Sequence, residues 1–131
     1  MKASDLKAAG YRVGTLISDD DVTRMQQAVD ACYISKVLPN FSATDTDVQA
    51  AEMALIFIAL TVANVYATRA GGKLKLSPNL SERGFASQAD YENADRLLRV
   101  LQGKQGAVQG RLDGIVDDGL HIYMRSYLSM N

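Results

Sequence analysis

The chain has 131 residues, 47% of them hydrophobic and 22% charged, a balance that suits a folded globular protein and excludes intrinsic disorder and a disulfide scaffold. That length supports one hydrophobic core, so residues 1–131 are read as a single domain. A net charge of −1 and a pI near 5.7 leave no broad electrostatic footprint for nucleic acid, and the single cysteine, Cys32, has no internal disulfide partner.

The first ten residues predict a short helix, with Ser4 as its cap, Leu6 and Ala9 as its apolar face and Gly10 as its left-handed stop. They hold no apolar stretch of the kind that directs export, so a cytoplasmic location is expected. Tyr11, Val13, Thr15 and Ile17 alternate with other residues, as an extended connector or short strand would. Ser18-Asp19-Asp20-Asp21 then marks a helix start: Ser18 can accept a free amide of the first turn, and the aspartates sit at the positive end of the helix dipole. Val22, Met25, Val29, Cys32 and Tyr33 recur at helical spacing, followed by Val37 and Leu38, and Pro39 stops the pattern, predicting a helix over about 20–38. Clustered carboxylates also suit a hard cation, but three consecutive residues point in three directions and no glycine turn closes a loop here, so the cap reading is preferred and no metal site is expected.

After the loop 39–45, Thr46 and Gln49 have capping-box spacing and open the longest element, Asp47–Ala70, about 36 Å if helical. From Met53 to Ala63 only Thr61 is polar. A helix apolar on every side must be enclosed by other helices or by another subunit, and the rest of the chain reads as its wrapping. The run Met53–Ala67 falls short of the roughly 20 residues a bilayer needs, is interrupted by Thr61 and Asn64, and has Glu52 at its edge; a core or interface helix is preferred to a membrane span.

Gly71-Gly72 ends that helix, and residues 73–86 lose the helical period. Leu74 and Leu76 alternate with Lys73, Lys75 and Ser77 before a Pro78-Asn79 turn signal, predicting a hairpin or extended arm. Arg69, Lys73, Lys75 and Arg83 against Glu82 give this region a local charge of +3. It is either a solvated loop or an arm that touches a neighbouring subunit or a polyanion. Ser87 and Asp90 open the last helical region, where Ala94, Leu98, Leu101, Val108, Leu112, Ile115 and Ile122 form a seam for packing on the central helix, interrupted by Gln105 and Gly119. Gly103, Gly106, Gly110 and Gly114 share one face; Gly103-Lys104-Gln105-Gly106 is read as a turn between two helices in preference to a stripe for close backbone approach.

His121 is the only histidine, which removes multi-histidine metal sites. Asp113, Asp117, His121 and Arg125 follow at four-residue spacing, the pattern of a solvated, salt-bridged helix face and also of a carboxylate-oriented histidine; the solvated face is preferred, since no activated nucleophile is nearby. Phosphate-binding loops, paired cysteines and dinucleotide fingerprints do not occur in the sequence, so neither a catalytic residue nor a cofactor is assigned and an enzyme is not expected. The tail from Ile122 to Met130, with Tyr123, Met124, Arg125 and Tyr127, either completes the core or docks on a partner.

A short first helix, an acid-capped helix opening at Ser18-Asp19-Asp20-Asp21-Val22, a long apolar helix, a lysine- and glycine-containing arm and a helical region opening at Ser87-Gln88-Ala89-Asp90-Tyr91 together resemble the small head–tail connector proteins of tailed phages and prophages. The likeness is one of layout over most of the chain, and the glycine-rich segment 103–114 departs from it. It implies a structural protein whose copies assemble as a ring beneath the portal and join head to tail. By that resemblance the subunit or partner contacts are Lys73, Leu74, Lys75 and Leu76 in the arm with Tyr123 and Tyr127 at the tail. The expected fold is therefore all-α, a helical bundle around a long central apolar helix with a short extended or hairpin arm. The expected partners are copies of itself and portal or tail proteins, with no sequence-specific nucleic acid and no membrane. A small cytoplasmic helical adaptor that binds one protein is the alternative.

Overall fold

In the computed structural model two helices begin where a side chain accepts the amides of the first turn, at Ser18 and at Asp45. Residues 1–13, 17–34, 37, 39, 41–69, 88–105 and 112–128 are described. Among them the chain forms five α-helices and no strand: α1 (Ala3–Ala8), α2 (Asp19–Val29), α3 (Thr46–Arg69), α4 (Gln88–Gln105) and α5 (Leu112–Leu128). The all-α bundle expected from the sequence is the fold observed.

At the head of α1 the Asp5 carboxylate accepts the Lys2 amide at 2.7 Å, and Ser4, the expected cap, lies exposed inside the first turn. The helix starts one residue ahead of Ser4, where a carboxylate in the first turn is favoured by the positive helix end and reaches back to the Lys2 amide. Gly10 stops the helix as expected, at φ +96°. Its amide donates to the Lys7 carbonyl at 3.0 Å and the Tyr11 amide to the Leu6 carbonyl at 3.0 Å, a paired closure that needs a left-handed residue between them.

The Ser18 start of α2 is a reciprocal box. Ser18 Oγ accepts the Asp21 amide at 3.1 Å while the Asp21 carboxylate accepts the Ser18 amide at 3.0 Å. The predicted helix over 20–38 does not continue as one α-helix: after Val29 it widens into a π-helical turn, Asp30–Ile34. In this wider turn two consecutive buried side chains reach different neighbours. The Cys32 thiol lies 3.7 Å from the Ile115 carbonyl of α5, and the Tyr33 hydroxyl donates to the Val48 carbonyl of α3 at 3.4 Å.

The start of α3 also differs from expectation. Asp45 is the cap: its Oδ1 accepts the Asp47 amide at 2.8 Å and the Val48 amide at 3.2 Å. Thr46 is already helical, and the Gln49 side chain donates instead to the Ala43 carbonyl at 3.1 Å. The turn before it, closed by the Asp45 amide on the Ser42 carbonyl, presents the aspartate one residue ahead of Thr46.

Every residue from Ala54 to Ala63 is buried, on all sides of α3. One subunit supplies the whole enclosure of that stretch: α2 and α5 pack on α3, α4 covers it from another side, and the Tyr11 ring lies 4.9 Å from that of Phe57. Each fully buried Leu, Ile, Phe or Val side chain stabilises the fold by about 1.5–3 kcal/mol before entropy is counted. Thr61, the one polar residue, returns its hydroxyl to the Phe57 carbonyl at 2.9 Å, which is why it is tolerated there. Thr46–Ala63 has the length and composition to cross a membrane, and 67% of it is buried inside the bundle.

From α4, Ala94, Leu98 and Leu101 are buried as the seam predicts, and Ile115 and Ile122 of α5 are buried and half-buried. Besides the central helix, α5 also lies on α2, a contact the seam did not anticipate. Gly103 falls inside α4 and Gly114 inside α5, both with open space where a side chain would project, so neither mediates a close approach; Gly106, Gly110 and Val108 lie outside the described residues. The glycine at a helix contact is Gly119, where an added Cβ would sit 3.7 Å from the Cys32 sulfur and 3.8 Å from Val29. The arm over 73–86 and the Ser87 helix start also lie outside the described residues.

Candidate functional site

The junction of α2, the π-helical turn and α3 brings together acidic groups from three separate places in the chain. Asp30 opens the π-helical turn, and Glu52 stands on α3 just before its fully buried stretch. Asp30 acts on the Glu52 carboxyl from across the junction, and a carboxyl beside another carboxyl holds its proton more tightly. Burial, the bond to Asp30 and the Asp30 charge push Glu52 up to about 8, against a smaller downward pull from the Met1 α-amino group. Next along the turn, Tyr33 is held protonated, its pKa raised by burial and then by the charges of Glu52 and Asp45. Glu52 is thus held protonated beside a neutral phenol. Among the described residues no group of three or more His, Cys, Asp or Glu is placed to hold a metal ion.

The acidic triplet is used in folding. Asp19 Oδ1 accepts the Ala3 amide of α1 at 2.9 Å, Asp20 pairs with Arg24 at 2.7 Å, and Asp21 serves the Ser18 box. Thr23 adds a hydrogen bond to the Met1 carbonyl at 3.3 Å, so α1 is clasped to the head of α2. Asp21 Oδ1 also accepts the Tyr123 hydroxyl at 3.3 Å, tying α5 to the same point.

Tyr123, assigned by resemblance to a subunit or partner contact, is 5% exposed and packs inside its own subunit. The backbone of Tyr127 lies one turn further along α5, while its side chain, and all of Lys73, Leu74, Lys75 and Leu76, lie outside the described residues. His121 is exposed, and its Nδ1 lies 2.8 Å from the Asp117 main-chain carbonyl; Arg125 Nε donates to the His121 carbonyl at 3.3 Å. This Nδ1 contact is to the backbone of Asp117, one turn earlier, in keeping with a solvated helix face. No family model, curated protein or solved structure matches this chain.

Sequence reasoning missed the Asp30–Glu52 pair. A signal was present: each is a carboxylate set next to an apolar run, Asp30 directly after Val29 and Glu52 directly before Met53. Their meeting depends on the crossing of α2 and α3, which no local pattern encodes.

Proposed function

We propose that the protein is a structural assembly component, a head–tail connector of a tailed phage or prophage whose copies form a ring at the portal. The observation that carries this reading is the layout of the bundle: a short helix clasped to an acid-capped helix, a long enclosed central helix, and two further helices packed on it. It is the element order through which the sequence resembles that family. The acidic triplet supports it, since its side chains hold helix ends and a neighbouring arginine. The partners are then copies of the chain and the portal or tail proteins, and the protein works in the bacterial cytoplasm before joining the virion.

A second reading, a small helical adaptor for one protein partner, is favoured by the complete enclosure of Ala54–Ala63 within a single subunit and by a described surface on which Val100, 37% exposed, is the one exposed large hydrophobic residue. Solution mass by light scattering over a wide concentration range, with negative-stain images alone and with portal protein, separates the two. Closed rings support the connector. A monomer or dimer under all of these conditions, without ring formation on the portal, overturns it in favour of the adaptor.

A further inference from the structure

We propose that residues 1–13 are an exchangeable strap, and that the face of α3 carrying Phe57, together with the head of α2, is the docking surface for the same segment of a second copy of this chain. The inference deepens the assembly reading above by naming its contact surface, and solution mass and cross-linking test the two separately.

The segment is attached as an appendage, not as a layer of the bundle. Among the described residues, α2 to α5 and the π-helical turn make the extensive contacts between elements, and α1 takes part in none of them. Six residues cannot hold a helix by themselves. What fixes α1 is one fully buried anchor, Leu6, with Met1, Ala3, Tyr11 and Val13 half-buried on the core. The polar ties of the segment to α2, Asp19 on the Ala3 amide at 2.9 Å and Thr23 on the Met1 carbonyl at 3.3 Å, both lie at the exposed surface, where water replaces them at little cost.

The surface beneath the strap is set apart from the core. Phe57 is buried, yet alone among the apolar residues from Ala54 to Ala63 it stands outside the contiguous core cluster. The Tyr11 ring lies against it at 4.9 Å. An open strap therefore uncovers an aromatic face of α3 and leaves Leu6, Tyr11 and Val13 in water, two apolar surfaces that already fit each other. The segment of a second copy makes the same contacts as the chain's own, so exchange needs no new complementarity and its cost is that of association. Residues 14–17 alone separate the strap from the Ser18 cap, so a released strap reaches only a copy seated against the α1 side of the bundle. Passed from each subunit to the next, the contact is head-to-tail and closes into a ring where the rotation allows; passed back and forth, it makes a dimer.

The test uses full-length chains. Ala3→Cys and Asp19→Cys variants, each also carrying Cys32→Ala, are mixed in equal amounts from micromolar to millimolar concentration and treated with a short thiol cross-linker, with solution mass measured on the same samples. A link between these two positions in the mixture joins two copies. Its yield is expected to rise with concentration and to exceed several-fold that of a control mixture of Ala3→Cys with Asp118→Cys, an exposed site on α5. Both thiols in one chain should link within that chain at low concentration, which shows that the cross-linker spans the clasp. Links within the double variant, with the mixture at control level, overturn the exchange. Should a substitution prevent folding, native chains mixed in carbon-13-labelled and unlabelled form give the same answer through filtered Overhauser contacts between the Tyr11 and Phe57 rings. Contacts between copies support the exchange, and contacts within one copy alone overturn it. Rings without the cross-link leave the connector reading standing and refute the exchange; linked dimers that never close into rings, alone or on the portal, do the reverse.

Discussion

Substitution of Gly119 by alanine should stabilise the protein, although this glycine stands at a helix–helix contact. An added methyl would sit 3.7 Å from the Cys32 sulfur and 3.8 Å from Val29, ordinary van der Waals distances that require no displacement. Two gains then combine: alanine is better than glycine in a helix by about 1 kcal/mol, and one buried methyl contributes up to about 0.8 kcal/mol. Gly114→Ala is the control, because its Cβ would meet nothing within 4 Å and only the helix gain applies. Chemical denaturation of both variants should therefore give ~1–2 kcal/mol for Gly119→Ala and ~1 kcal/mol for Gly114→Ala. In a thermal melt each kcal/mol corresponds to roughly 3–5 °C for a domain of this size. Gly119→Leu carries three more carbons into space already filled by Cys32 and Val29 and should fall below the alanine variant by about 1–3 kcal/mol. A destabilised alanine variant would mean that α2 and α5 lie closer than these distances. A leucine variant as stable as the alanine would mean that the two helices do not pack there at all, and either result refutes the reasoning.

Stability should depend on pH through Glu52. Its folded pKa is raised from 4.5 to about 8, so the stability it contributes is fully present near and below pH 4.5 and is lost as pH rises toward 8. Solvent screening at this partly buried site limits the loss to about 1–2 kcal/mol, read as the difference between the native protein and Glu52→Gln in urea melts from pH 5 to 9. A constant difference across that range counts against the raised pKa of Glu52. Asp45→Ala removes two hydrogen bonds to the first turn of α3 and should cost about 1–2 kcal/mol, whereas Thr46→Ala, at an exposed helical position, should change stability by less than about 0.5 kcal/mol. The reverse ranking would restore Thr46 as the cap. Tyr123→Phe removes the hydroxyl on Asp21 and should cost about 0.5–1.5 kcal/mol with no change in solution mass. A change in mass would instead make Tyr123 an intersubunit contact.

What the amino-acid order determined by itself was local or periodic. Ser18 followed by three aspartates dictated a helix start because the orphan amides lie within one turn of the acceptor, and the structure closes that box. Gly10 dictated a stop because the residue at that position must be left-handed. The apolar run Met53–Ala63, interrupted only by Thr61, required enclosure, since no face of it could be left in water. Where two local acceptors competed, the order alone was ambiguous: Asp45 and Thr46 are adjacent candidates for one set of amides, and the charged acceptor prevailed. Tertiary structure decided what depends on how helices cross. Only the packing of α5 on α2 makes Gly119 the contact glycine in place of Gly103 or Gly114, and only that packing carries Tyr123 inward to Asp21 across the length of the chain. The same holds for Asp30 and Glu52. Spacing along one helix sets which side chains share its face, but the meeting of two faces is chosen by the global burial of apolar surface, and the raised pKa of Glu52 exists only because that burial enclosed it and brought it beside Asp30.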